Sequence, residues 1–83
     1  MSGKLKSMAK AKSSSREIKQ LGQLISKERQ KRGISLERLA SQMQISKGNL
    51  SDIENGKRDP RFSTLAAIAT GLGMKLSQLV KDY

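Results

Sequence analysis

The sequence predicts an all-α protein: five helices behind a basic N-terminal tail. Three observations carry that prediction. The 83 residues include no Cys, no Trp, one Tyr and one Phe, so the core must be built from Leu, Ile, Met and Ala, most of which favour helix. Apolar residues recur at spacings of three and four along most of the chain. Ser15, Ser35 and Ser46 stand ahead of three such stretches, and Gly33, Gly56 and Gly73 follow three of them, which is the punctuation of helix starts and stops. A chain of this length makes one small domain and buries roughly 60% of its unfolded surface.

The elements follow in order. Residues 1–14, MSGKLKSMAKAKSS, gather no apolar face and read as a disordered tail; residues 15–83 read as the domain. Helix 1 is expected from about Arg16 to Arg32, with Ser15 as N-cap, Glu17 in the first turn, Ile18, Leu21, Leu24 and Ile25 on its apolar side, and Gly33 as its stop. Helix 2 is expected from Leu36 to Met43, capped by Ser35, with Leu36, Leu39, Ala40 and Met43 in the i, i+3, i+4, i+7 stripe of a buried face. A turn at Gln44-Ile45, with Ile45 inward, leads to helix 3, which Ser46 caps and Asn55-Gly56 ends. Leu50 and Ile53 are its inward residues. After the basic loop Lys57-Arg58-Asp59-Pro60, helix 4 is expected from Phe62 to Leu72, with Leu65, Ile68, Ala69 and Leu72 inward and Phe62 as a core or loop anchor. Helix 5 is expected from Ser77 to Asp82, with Leu76, Leu79 and Val80 apolar.

The charge narrows the function. Seventeen basic residues against seven acidic give a net charge of +10, which points first to a nucleic-acid partner and second to an anionic membrane surface. The first 16 residues hold Lys4, Lys6, Lys10, Lys12 and Arg16 and no acid, half of that net charge. Without His or Cys, the chain has no Ser-His-Asp or Cys-His site, no disulfide and no ordinary zinc site. No paired carboxylates converge on a concave site, so the expectation is a non-enzyme with no cofactor and no metal. No apolar run approaches the ~20 residues of a membrane span, and the expected location is the cytoplasm, on the nucleoid.

Helices 2 and 3 are short, and three residues separate them. Such a turn sets the second helix steeply across the first. With Leu50 and Ile53 inward, helix 3 turns Lys47, Gly48, Asn49, Ser51 and Asp52 outward. Short or polar side chains of this kind suit close approach to base edges in a major groove. Lys47 can donate to guanine O6 or N7, Asp52 can accept from a cytosine amino group, and Ser51 can read either kind of edge. The plainer alternatives are a solvated first-turn Lys47 and an Asp52 that pairs with Lys57 or Arg58. Glu28 and Glu37 read as helix-face charges within reach of Lys31, Arg32 or Arg38.

The run Gly33-Ile-Ser-Leu-Glu-Arg-Leu-Ala40, then Ile45-Ser46, Leu50-Ser-Asp-Ile-Glu-Asn-Gly-Lys57, Pro60, Thr64-Leu-Ala-Ala-Ile-Ala69, Leu72-Gly73 and Leu76-Ser-Gln-Leu79 resembles the helix-turn-helix domain of phage lambda-type repressors and Cro. The match covers about Ile18 to Val80, and the stretch Leu50 to Lys57 is its most specific part. The resemblance implies a five-helix domain that works as a dimer on a pseudo-palindromic site. It implies base reading by Lys47, Gly48, Ser51 and Asp52. Backbone contacts would come from Ser35 and Leu36 at the start of helix 2, and from Asn49, Asn55, Lys57 and Arg58. It implies a structural ion pair between Arg29 and Glu54. Two positions depart from the family. Leu36 stands where many relatives carry a phosphate-touching Gln, and Gly48 where a longer reading side chain is common, which shifts readout toward Lys47.

The expected function is therefore a sequence-specific, duplex-DNA-binding transcriptional regulator, a dimeric repressor whose interface includes Val80 and Tyr83. The alternative is a protein-interaction module of the bridging-coactivator or antitoxin kind, with secondary DNA binding and a protein partner. The tail reads either as an arm along phosphates or the minor groove, or as a solubilising extension.

Overall fold

The computed structural model describes residues 10–81. Its order is α1 (Lys10–Lys31), α2 (Leu36–Met43), α3 (Lys47–Glu54), α4 (Phe62–Leu72) and α5 (Leu76–Leu79), and the described residues contain no strand. The all-α, five-helix expectation holds. The bounds of α2 and α4 coincide with those expected, and Ser35 and Ser46 cap as read: their hydroxyls accept from the backbone N–H of Arg38 and Asn49 at 3.1 and 3.0 Å.

The two ends differ from expectation. α1 already includes Lys10, the first described residue, so residues 10–14 are helical and Ser15 lies inside the helix instead of capping it. Extending a helix that is already nucleated costs little, and the Lys and Ala of this stretch are good helix formers, so no apolar stripe is needed. The rest of the tail lies outside the described residues. α5 is only Leu76–Leu79 with Val80 as its C-cap, so it starts one residue before Ser77 and stops short of Asp82.

α1 to α4 all close in the same way. One or two residues past each end stands a residue with positive φ: Gly33 (67°), Gln44 (59°), Gly56 (74°) and Gly73 (75°). The next N–H then reaches back to a carbonyl inside the helix: Ile34 to Arg29, Ile45 to Ala40, Lys57 to Asp52 and Met74 to Ala69, at 2.8–3.1 Å. This satisfies carbonyls that a helix end leaves bare. Between α2 and α3 the left-handed residue is Gln44, with no glycine to relieve its Cβ.

The core comprises Leu21, Ile25, Leu39, Ala40, Leu50, Ile53, Ile68, Ala69, Leu72 and Leu79, with Ile34, Leu36, Met43, Ile45, Leu65, Met74, Leu76 and Val80 packed around it. α3 lies against α1 and α2; α4 lies against α1, α2 and α5. The approach of α1 to α3 is unusually close. A Cβ on Gly22 would collide with the backbone carbonyls of Ile53 and Glu54, so only glycine fits there. Phe62 departs from expectation: it is 75% exposed and anchors nothing. Phe62 and Ser63, the first two residues of α4, are exposed, and packing against the core begins further along, at Leu65.

Candidate nucleic-acid interface

α3 has two faces. Inward, Leu50 is fully buried, Ile53 is 2% exposed, and Glu54 is buried at 9%. A carboxylate cannot be left there alone. Arg29 of α1 meets it with two hydrogen bonds, Nε to Oε2 at 2.7 Å and Nη2 to Oε1 at 3.1 Å. The same guanidinium donates through Nη1 to the Ile34 carbonyl at 2.8 Å. One side chain thus ties the end of α3 to the α1–α2 turn. The hydrogen bond to Glu54 raises the Arg29 pKa above its ordinary value; burial opposes this, and attraction to Glu54 and Glu37 adds to it.

Outward, helical geometry puts Lys47, Gly48, Ser51, Asp52 and Asn55 on one side. Nothing lies within 4 Å of a Cβ built on Gly48, so its side of the helix is open. Two ion pairs join this face to its neighbours. Lys47 Nζ lies 2.9 Å from Glu37 Oε2 in the first turn of α2, with the side chains 59% and 65% exposed. Arg58 Nη2 lies 3.7 Å from Asp52 Oδ2, with 53% and 43% exposed. The hydrogen bond from Lys47, and then a backbone hydrogen bond and the Lys47 charge, hold the Glu37 carboxyl below its ordinary value. The Asp52–Arg58 contact is one of the two pairings considered for Asp52. Glu28 pairs with Arg32 at 3.4 Å as its spacing implies. The partner of Glu37 was not legible, because it depends on how the turn folds α3 back beside α2.

The residues read as backbone contacts are placed variously. Ser35, Lys57 and Arg58 are exposed at the two ends of this surface. Leu36 is half-buried and packs against the core. Asn55 turns its Nδ2 back to the Ser51 carbonyl at 2.9 Å and to the Ser51 hydroxyl at 3.3 Å. Asn49 is half-buried in the wall of a cavity of about 190 Å³, with Ile45, Ile53, Arg58, Arg61 and Thr64. Its Oδ1 is buried there without a hydrogen-bond partner. Val80 is half-buried against the core, and Tyr83 lies outside the described residues. Sequence reasoning missed Glu37 as a neighbour of the reading face. It also missed Arg61, exposed beside Arg58, although a cation in the loop after α3 was itself a signal.

This arrangement is a helix-turn-helix in which one helix is clamped from behind and left open in front. The chain belongs to the helix-turn-helix family, whose model matches residues 25–79. Among named relatives, it is 37% identical over 62 residues to the immunity repressor protein of Bacillus phage phi105, covering 75% of this chain and 43% of that one. It is 39% identical over 54 residues to control protein C.MunI of a Mycoplasma species, covering 65% and 73%. The chain thus spans less than half of the phage repressor and about three-quarters of the control protein. Among solved structures, the clp gene regulator ClgR from C. glutamicum superposes with a TM-score of 0.74 at 26% identity, over 77% of this chain and 83% of that one. The restriction-modification controller C.AhdI from Aeromonas hydrophila superposes with a TM-score of 0.73 over 76% and 96%, and at 24% identity this likeness concerns the fold alone.

Proposed function

We propose that this chain is a sequence-specific duplex-DNA-binding transcriptional regulator that lays α3 in the major groove. The observation that carries the reading is the two-faced α3. Its inner face is fixed by Leu50, Ile53 and the Arg29–Glu54 pair, and its outer face is polar and open at Gly48. A net charge of +10 suits a phosphate backbone. The names of the relatives, a phage immunity repressor and a control protein, agree with it.

In this reading Lys47 donates to a guanine edge, Asp52 accepts from a cytosine amino group, and Ser51 serves either kind of edge. Gly48 admits the backbone close to the bases. Phosphates are met by the N-terminus of α2 at Ser35 and Leu36, and by Asn49, Asn55, Lys57 and Arg58; these fix register and carry no sequence information. The chain acts in the cytoplasm, without cofactor, as a homodimeric repressor. Two copies joined near Val80 and Tyr83 set their recognition helices one DNA turn apart, about 34 Å.

The test is selection from a randomised duplex pool, followed by competition with scrambled duplex at physiological salt. A preference of about 10³ or more, with a two-fold symmetric footprint, is the expected result. Equal binding to both duplexes, falling steeply with salt, removes the sequence-specific reading and leaves only phosphate attraction. That outcome favours an interaction module with a protein partner.

A further inference from the structure

Lys47 stands at the wrong end of its helix for a cation. It is the first residue of α3, where the helix dipole favours negative charge, and the first turn of α3 holds no acid of its own. The compensating acid comes from another helix. Glu37 lies in the first turn of α2, where an anion is favoured, and the Gln44 turn brings that end of α2 beside the start of α3. The contact is an ion pair at 2.9 Å, although both side chains are more than half exposed. An exposed pair of this kind does little for the fold. Its consequence lies in where it leaves the ammonium.

A lysine ammonium has three N–H donors. With one engaged by Glu37, two remain, and a guanine edge presents two acceptors, O6 and N7. A phosphate offers a full negative charge instead, and a lysine on a flexible stem would otherwise swing to it. We infer that Glu37 is a positioning residue for specificity, which aims Lys47 at the base edge and withholds its charge from phosphate. This rests on the reading of α3 as the DNA-reading helix. On random DNA, Lys47 then releases no counterion, because it already carries one within the protein. Arg58, at the other end of the same face, is held more loosely, 3.7 Å from Asp52, and remains available to the backbone.

The experiment compares the wild-type chain with Glu37→Ala, Glu37→Gln, Lys47→Met and the double variant Glu37→Ala/Lys47→Met. Each is titrated over a range of salt concentrations with a random-sequence duplex and with the best duplex that the wild-type chain selects from a randomised pool. On the random duplex, both single Glu37 variants are expected to steepen the slope of log K against log salt by about 0.9, the value for one added phosphate contact. The double variant should match Lys47→Met. On the selected duplex, Glu37→Ala should lower the selected-to-random ratio by about two- to fivefold. Glu37→Gln keeps an acceptor for Lys47 and should lose less.

An unchanged slope in Glu37→Ala overturns the inference. So does equal steepening when Glu37 is replaced in the Lys47→Met background, since that would be plain repulsion of phosphate by Glu37. A wild-type chain that prefers no duplex removes the proposed function and the specificity role together, while the slopes still decide whether Glu37 withholds Lys47. Failure to bind any duplex at low salt overturns both.

Discussion

The inner and outer faces of α3 carry the same chemistry with opposite consequences. Behind the helix, Arg29 and Glu54 meet at 2.7 Å with their side chains 13% and 7% exposed. In front, Lys47 and Glu37 meet at 2.9 Å with theirs 59% and 65% exposed. Distance alone would rank the two pairs as near equals, yet burial separates them. Water screens the outer pair and stands ready to replace either partner. The inner pair has no such substitute, so losing one partner strands a charge beside the core. The back of α3 is therefore rigid and its front is exchangeable, as a helix that must be held while it reads a ligand requires.

The sharpest way to break this comparison is to remove one inner partner. Glu54→Ala or Arg29→Ala is expected to destabilise the fold by about 3 kcal/mol, the low end for a buried pair because Arg29 keeps some exposure. Chemical denaturation measures it. The double variant Arg29→Met/Glu54→Leu should recover much of that loss, because neither charge is then stranded. If the double loses as much as the sum of the singles, the pair is not acting as a buried unit. Next in size is Gly22→Ala. The added methyl meets the carbonyls of Ile53 and Glu54 and must push α1 from α3, at a cost of about 2 kcal/mol. That loss should appear even though alanine is the better helix former. A stabilised variant would show that the helices can part freely.

How much of this was legible follows from where each signal resides. The bounds of α2 and the N-caps of α2 and α3 are local, written by Ser35, Ser46 and the apolar stripe between them, and the structure matches them. The start of α1 is also local, but residues 10–14 carry no apolar pattern to read, and a serine run suggested a cap where the helix simply continues. Gly22 looks neutral in the sequence because its reason is another helix's backbone. Phe62 reads as a core or loop anchor on hydrophobicity, yet at 75% exposure it is neither. The Glu37–Lys47 pair depends on the turn angle, which spacing does not specify. Of the candidate site, then, the helix and its outward residues were readable, while the ties that aim them were not.

The turn itself offers a smaller and opposite effect. Gln44 is the one non-glycine residue with positive φ among the described residues, at 59°. Its Cβ makes that conformation costly. Gln44→Gly should therefore raise stability by about 0.5–1 kcal/mol, read as a higher denaturation midpoint, while an unstrained turn would show a loss from added chain entropy instead. The gain sharpens the comparison, since it leaves both faces of α3 unaltered and changes only the joint between α2 and α3.

The smallest effect belongs to the outer pair, and it separates proximity from stabilisation. Lys47 holds the Glu37 carboxyl below its ordinary value, so an NMR titration of Glu37 should show a midpoint below about 4.3, rising toward it in Lys47→Met. The sign follows from linkage. A carboxyl whose folded value is depressed favours the folded state above its unfolded value, and that help fades as pH falls through the folded value. It is thus fully present at neutral pH and is lost only in acid. Because the pair stands in water, Lys47→Met should leave the neutral-pH melting midpoint close to that of the wild type while still shifting the Glu37 titration. A large drop in melting midpoint would mean that the outer pair holds α3 as the inner one does, and the division of labour between the two faces would fail.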